Sequence, residues 1–399
     1  MSVKVRFAPS PTGMLHVGNA RTALITWLFC RNQGGHFLLR IDDTDGERSK
    51  VEYEEAIEDS LTWLGLNWDE KANQKDRLAR YEEQIEFLKE SGRLYACYET
   101  PEELSLKRKS QLSRGKPPIY DRAALELTAD EVAKYEVEGR SPHWRFKLNH
   151  TPIEWNDHIR GEVKFNGGDL SDPVVLREDG SPLYHLCSVI DDIDFGITHV
   201  IRGEDHVANT ATNVQRCEAL GATAPEFAHN ALISDAEGGK LSKRLGSMSI
   251  RDLRDDEGLE PMAISSLLAR LGTSDPIEAF STLDPLIESF DLSKFSRASA
   301  KFDPTEIYRL NAKLLHDTDY EDIRERLQAI GRADVDRPSW EAISPNIERL
   351  SDVEDWWKVA KGPVEPVIGE TEYIAEARAH RPSTPWTEAT WGGWSATHK

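Results

Sequence analysis

Residues 3–21 read VKVRFAPSPTGMLHVGNAR, and their layout decides how the rest of the chain is organised. VKVRF alternates as a strand does, Pro9 and Pro11 stiffen a turn, and from Val17 the apolar Ala20, Leu24, Trp27 and Leu28 share one helical stripe. Strand, tight loop and helix is where α/β folds take phosphates. A helix N-terminus offers unpaired N–H groups and partial positive charge, and Gly18 lets a ligand approach the backbone. An ordinary βα connection has the same outline, so this stretch alone leaves both readings open.

The α/β rhythm continues to about residue 95, with the strand HFLLRID (36–42) and amphipathic helices around 50–64 and 79–91, as in a doubly wound parallel sheet. Between 96 and 185 it changes to a charged helix near 101–113 followed by the short β segments HWRFKL, IEW, GEVKF and PVVLRED. It resumes with ITHVIRG (197–203), a helix over 207–220 and the strand FAHNALI (227–233). The expected organisation is therefore an α/β, Rossmann-type parallel sheet in two halves, 1–95 and 186–236, split by an α+β insert at 96–185. A loop with short helices follows over 237–305, then an all-α region over 306–399. Six of the eleven tryptophans, Trp340, Trp356, Trp357, Trp386, Trp391 and Trp394, fall in that last region, where packing between helices is the favoured reading over stacking on bases.

Composition narrows the class. A chain of 399 residues exceeds one ordinary core, and 39% hydrophobic with 30% charged residues is globular and soluble. No apolar run reaches membrane-spanning length and no export signal opens the chain, so no membrane partner and a cytoplasmic location are expected. Cys30, Cys97, Cys187 and Cys217 lack CxxC spacing and read as reduced, buried thiols. A net charge of −21 argues against nucleic acid in general, but LKRKSQLSRGK (106–116) is a local basic cluster that keeps such a partner open.

The decisive second motif is EGGKLSKRLGS (237–247), two glycines ahead of Lys240, Ser242, Lys243 and Arg244. It is not a Walker loop. Two lysines three apart, with a hydroxyl between them, can clamp a polyphosphate and neutralise charge on leaving pyrophosphate. Taken together, RFAPSPTGMLHVGNAR resembles the first signature of class I aminoacyl-tRNA synthetases, HVGN standing at the HIGH motif, and KLSKR resembles the KMSKS loop. The two lie in the expected order, roughly 220 residues apart. LRIDDTD (39–45), SDPVVLREDGSPLYHL (171–186), THVIRGEDH (198–206), PEFAHNALI (225–233) and LNAKLLH (310–316) resemble the bacterial glutamyl members in particular.

That resemblance implies a reaction in two steps: glutamate attacks the α-phosphorus of ATP, and the adenylate passes its acyl group to the 3′ end of tRNA(Glu), with tRNA(Gln) left open as a second acceptor. It implies His16, Lys240 and Lys243 as the catalytic set, and Gly18, Asn19, Asp205, Ser242 and Arg244 as further contacts to ATP, which brings Mg²⁺. Arg6 and Arg202 end two strands and could meet one carboxylate. The resemblance adds Ala8, Ser10, Asp42, Tyr184 and Ser188 to the glutamate pocket, Ser10 and Asp42 for its amino group. Asp42 and Ser188 depart from the family's usual Glu and frequent Asn. The insert would take the acceptor end of the tRNA and the helical region the anticodon, in a monomer. The positions at which some members bind zinc read Cys97, Glu99, Tyr120 and Ala124, so neither zinc nor any other protein-bound metal is expected. The chain ends at WTEATWGGWSATHK, short of a further basic helical segment the resemblance implies. Two rivals are a glutamyl-queuosine type enzyme acting on tRNA(Asp), which the hundred or so residues beyond 300 oppose, and a non-catalytic tRNA-binding relative, which the intact motifs oppose.

Overall fold

A computed structural model describes residues 2–235 and 248–362, together with Ala375 and Arg378. The strands are β1 (Lys4–Phe7), β2 (His36–Ile41), β3 (Glu70–Asn73), β4 (Leu94–Cys97), β5 (His143–Phe146), β6 (Pro152–Asp157), β7 (Gly161–Asn166), β8 (Val174–Leu176), β9 (His199–Gly203), β10 (Glu226–Asn230), β11 (Ile233–Asp235) and β12 (Ala300–Phe302). The helices are α1 (Val17–Asn32), α2 (Val51–Trp63), α3 (Leu78–Glu90), α4 (Pro101–Ser113), α5 (Ala129–Val137), α6 (Tyr184–Asp194), α7 (Val207–Ala219), α8 (Ile250–Asp255), α9 (Pro261–Arg270), α10 (Asp284–Glu288), α11 (Pro304–His316), α12 (Tyr320–Ala329), α13 (Arg337–Ile343) and α14 (Val353–Lys361).

The main sheet has the order β3-β2-β1-β9-β10-β6-β7, parallel except for the β6–β7 hairpin. From β1 the chain builds outward through β2 and β3, then returns to lay β9 and β10 on the other side. Between β1 and β9 the order reverses, and in open α/β sheets ligands bind at the carboxyl ends of strands at such a point. The α1 stripe read from the sequence is buried against this sheet: Ala20, Leu24, Trp27 and Leu28 join Val5, Phe37 and Leu39 in one core that continues into α9 and α11.

Three expectations are corrected. The segment 96–185 is divided between two sheets: β4, β5 and β8 form a separate three-stranded sheet, whereas β6 and β7 extend the main one. Phe227 pairs with Asp157, and the His158 N–H donates to the Phe227 carbonyl at 2.9 Å. FAHNALI is not one strand, because buried Arg21 of α1 donates to the Ala231 carbonyl at 2.7 Å and to Leu271 at 2.8 Å. With that carbonyl taken, β10 ends and β11 pairs with β12 instead. The last division falls after residue 319 rather than 305, since Ile307 and Leu310 of α11 belong to the large core.

The described residues form two compact units, those within 1–319 and 345–350, and those within 320–344 and from 351 onward. In the second, Trp340 is fully buried and Trp357 nearly so, the latter's indole N–H donating to Asp334 at 2.7 Å. Both act as packing anchors; Trp386, Trp391 and Trp394 lie outside the described residues.

Candidate active site

A cavity of about 530 Å³ opens at the carboxyl ends of β1, β2 and β9. Eleven residues singled out in the sequence line it: Arg6, Ala8, Ser10, His16, Gly18, Asn19, Asp42, Tyr184, Ser188, Arg202 and Asp205. Lys240, Ser242, Lys243 and Arg244 lie outside the described residues. The chain before them lines the cavity at Ile233, and after them the Met248 carbonyl accepts from the Val17 N–H at 3.4 Å.

His16 caps α1. Its extended backbone (φ −92°, ψ 163°) lets Nδ1 accept from the Asn19 N–H at 3.3 Å. With Nδ1 an acceptor, the proton of the neutral ring sits on Nε2, and burial pulls the imidazole below its ordinary pKa, which keeps it neutral. The Val17 and Ala20 N–H groups also have backbone partners. Among the described residues none accepts from the Gly18 N–H, so it remains for a ligand. A Cβ at Gly18 would stand 3.2 Å from the His16 ring, so a side chain there would crowd the cap. The arrangement offers an anion one imidazole N–H, one backbone N–H and the positive end of a helix.

On the opposite wall Arg40 reaches out of β2 into a buried lattice of charges. Its Nε and Nη2 donate to the two oxygens of Asp42 at 2.7 and 3.2 Å, and its Nη1 to Asp192 at 2.8 Å. Arg6 donates to the same Asp192 oxygen at 3.0 Å, and the Ser188 hydroxyl to Asp42 at 3.2 Å. Burial alone would raise the Asp192 carboxyl, yet the guanidiniums of Arg6 and Arg40 bring it below its usual value. Next to it on α6, Asp191 takes hydrogen bonds from Arg77, Gln74 and Tyr81. Asp42 thus gives two of its acceptor positions to Arg40 and a third to Ser188, so the two departures from the family pattern, Asp42 and Ser188, touch each other.

Arg202, at the end of β9, is held differently. Its Nε donates to His229 Nε2 at 3.3 Å and its Nη2 to the Thr210 hydroxyl at 2.5 Å, with the His206 carbonyl at 3.5 Å. It makes no ion pair among the described residues. Burial first, then the charge of Arg6, lowers it to about 10, so it stays a cation at neutral pH with no counter-charge in contact. At Gly203, the next residue, a Cβ would lie 2.5 Å from Asp205 Oδ1, so a side chain there would push the Asp205 carboxylate aside.

Sequence reading missed Arg40, Asp192, Thr210 and His229. The signal was available: Arg40 and the Asp191-Asp192 pair interrupt apolar runs, HFLLRI and VIDDI, which is unfavourable unless the charges meet. One group of metal-ligating side chains assembles among the described residues, His158, His199 and Glu226, but it sits at the amino ends of β9 and β10, away from this cavity. At the positions considered for zinc, the Tyr120 hydroxyl donates to Glu99 at 2.7 Å and Lys107 pairs with the same carboxylate at 3.1 Å.

Comparison with known proteins gives this geometry a family. The model of tRNA synthetases class I (E and Q), catalytic domain, matches residues 2–309. A glutamate–tRNA ligase of Azospirillum brasilense is 56% identical over 399 residues, 100% of this chain and 89% of that protein. Glutamate–tRNA ligase 1 of Maricaulis maris is 55% identical over 98% of this chain and 88% of its own. A crystal structure of a glutamate tRNA ligase from Elizabethkingia meningosepticum, in complex with its amino acid, superposes with a TM-score of 0.83 at 31% identity, covering 98% of this chain and 84% of that one.

Proposed function

The chain belongs to the class I tRNA synthetases of the glutamyl and glutaminyl type, its activity is that of a glutamate–tRNA ligase, and from that premise we propose how its residues divide the work. Arg202 takes the side-chain carboxylate of L-glutamate. Two guanidiniums lining the cavity are held only by neutral acceptors among the described residues, but both Nη groups of Arg21 already donate to backbone carbonyls, whereas Arg202 Nη1 has no partner. The observation that carries the assignment is this free Nη1 edge on a cation without a counter-charge. Arg6 and Tyr184 flank that carboxylate, Ala8 gives room beside them, and Ser10 with the remaining acceptor position of Asp42 receives the ammonium group.

ATP is the family's energy source, and we assign its phosphates to the other end of the cavity: His16 Nε2–H and the Gly18 N–H to the phosphate chain, with Asn19 beside them and Asp205 toward the ribose. Lys240 and Lys243, with Ser242 and Arg244, act on the pyrophosphate side, and Mg²⁺ arrives with ATP. The α-carboxylate then meets the α-phosphorus between the two ends. The adenylate is a mixed anhydride, so acyl transfer to tRNA starts from an activated group. Positioning and charge stabilisation then suffice, without a covalent enzyme intermediate.

The segment holding α4 and the β4-β5-β8 sheet carries the acceptor end, helped by Lys107, Arg108 and Lys109, and the helices beyond residue 320 face the anticodon. No zinc is assigned to Cys97, Glu99, Tyr120 and Ala124, because they supply one thiol, a carboxylate already paired with Lys107, and an alanine. We take the enzyme to be a monomer working in the cytoplasm, where tRNA and ATP are found. Similarity over the whole chain favours neither the queuosine-type enzyme nor a non-catalytic relative.

The test of the site is Arg202→Gln, assayed by aminoacylation with tRNA present. The expected KM for glutamate rises about 100-fold or more, as for a lost buried charge pair, while KM for ATP stays within about threefold. An unchanged glutamate KM refutes the assignment. Offering purified tRNA(Glu), tRNA(Gln) and tRNA(Asp) in turn settles the acceptor.

A further inference from the structure

Behind Arg202 lies a chain of buried groups that no substrate reaches. His229 on β10 is the lateral partner of Arg202 on β9, and both His229 and Asp157 side chains are fully buried. Asp157 Oδ2 lies 2.5 Å from His229 Nδ1, and His229 Nε2 lies 3.3 Å from Arg202 Nε and 2.8 Å from the Thr210 hydroxyl. An arginine Nε–H can only donate, so His229 Nε2 must be an unprotonated acceptor and the ring proton must sit on Nδ1. Asp157 is what keeps it there. A doubly protonated ring would set an N–H and a positive charge against the guanidinium; burial, which lowers the His229 pKa, works against that state.

We propose that Asp157 and His229 are positioning residues for Arg202: through the tautomer it imposes, Asp157 fixes the guanidinium by its Nε edge and so aims the Nη1 edge at the substrate carboxylate. The inference rests on the reading of Arg202 as the carboxylate anchor. Neutral groups hold the cation in place and leave its charge available, while the compensating carboxylate stands one ring away.

The other oxygen of Asp157 makes the idea unusually testable. Oδ1 accepts three backbone N–H groups, from Ile159 at 3.0 Å, Arg160 at 2.9 Å and His229 at 3.1 Å. In Asp157→Asn those three donors hold the amide oxygen at the Oδ1 position, so the new NH₂ must face His229 Nδ1. The backbone contacts and the side-chain volume survive, but the ring proton is driven to Nε2, against Arg202 Nε–H. A lost hydrogen bond to a charged group corresponds to about a 10- to 100-fold change.

The experiment compares wild type, Asp157→Asn, His229→Gln, His229→Leu and Arg202→Gln by aminoacylation kinetics, melting temperature and ¹⁵N NMR of the histidine rings. The expected result is an Nδ1–H tautomer for His229 in wild type and Nε2–H in Asp157→Asn. Glutamate KM should rise about 10- to 100-fold in Asp157→Asn with KM for ATP within about threefold. His229→Gln, which can return an oxygen acceptor to the Nε2 position, should lose less than His229→Leu. If Asp157→Asn melts as wild type does, shows the Nε2–H ring and keeps its glutamate KM, the positioning role is overturned. Equal rises in both KM values, or equal losses in Gln and Leu at 229, would mean a structural role only and also overturn it. Should Arg202→Gln itself leave glutamate KM unchanged, the reading of the anchor fails, an outcome separate from the failure of Asp157 and His229 to position it.

Discussion

Arg40 and Arg202 enter one cavity from strands on either side of β1, yet their surroundings are opposite in kind. Arg40 is satisfied by Asp42 and Asp192, and these charges hold its proton more firmly than usual despite burial. Arg202 meets an imidazole, a hydroxyl and a carbonyl, and its pKa falls. The first arrangement is complete without a ligand; the second is complete only with one. A buried charge left without its counter-charge is unfavourable, and on the proposed assignment the glutamate carboxylate supplies the missing partner.

The difference can be put to stability measurements, where the largest effect is expected. Arg40→Leu strands Asp42 and part of Asp192 in the interior and should lower the unfolding free energy in urea by about 3–5 kcal/mol. Arg202→Leu strands no carboxylate, and its loss should leave stability within about 1 kcal/mol of wild type or raise it, while glutamate-dependent activity collapses. Equal destabilisation by the two changes would erase the distinction drawn between them.

How much of this could be seen beforehand follows the same line. The α/β order, the α1 stripe and the start of α1 at His16 and Gly18 were legible, because local periodicity and a short loop motif encode them. The eleven described site residues converge on one cavity because parallel strands end on one side. What was not legible depends on side chains meeting across the sheet. Arg21 takes the Ala231 carbonyl between β10 and β11 from 210 residues away in sequence, and no local pattern announces that. Asp42 was expected to serve the substrate amino group, but whether Arg40 already occupies it is a question of three-dimensional distance. The β6–β7 hairpin looked like part of the insert since strand pattern alone does not name the partner strand.

At the ATP end the prediction is smaller and kinetic. His16→Ala removes the Nε2–H donor along with the cap on α1, and kcat should fall about 100-fold as for a lost transition-state contact. His16→Asn restores an acceptor for the Asn19 N–H but not the reaching donor, so it should recover the roughly 1 kcal/mol of cap stability without recovering kcat. Recovery of both would assign His16 to the helix rather than to ATP.

A pH effect distinguishes the two walls next. His185 lines the cavity on the Arg202 side, and burial, then the charges of Arg216, His206 and Arg202, lower it to about 4. Between its ordinary value of 6.5 and about 4 the unfolded chain binds a proton that the folded chain does not, so stability must decline as pH falls through that window. The difference in urea midpoint between wild type and His185→Gln should therefore change across pH 6.5 to 4 in favour of the variant and level off below it. A difference independent of pH would show that folding does not hold His185 below its ordinary value.

The smallest effect belongs to Ser188, and its size is informative. An ionised carboxylate has about four acceptor positions, and on Asp42 two are used by Arg40 and one by the Ser188 hydroxyl, leaving one for the substrate ammonium. Ser188→Ala removes a hydrogen bond to a carboxylate whose charge Arg40 already balances, and the freed position is open to water or to the ammonium itself. The expected change in glutamate KM is under about threefold, since the exchange replaces one hydrogen bond with another worth about the same. A rise above about tenfold would mean that Ser188 binds the amino acid directly, and that the wall built on Arg40 is as much a substrate surface as the one built on Arg202.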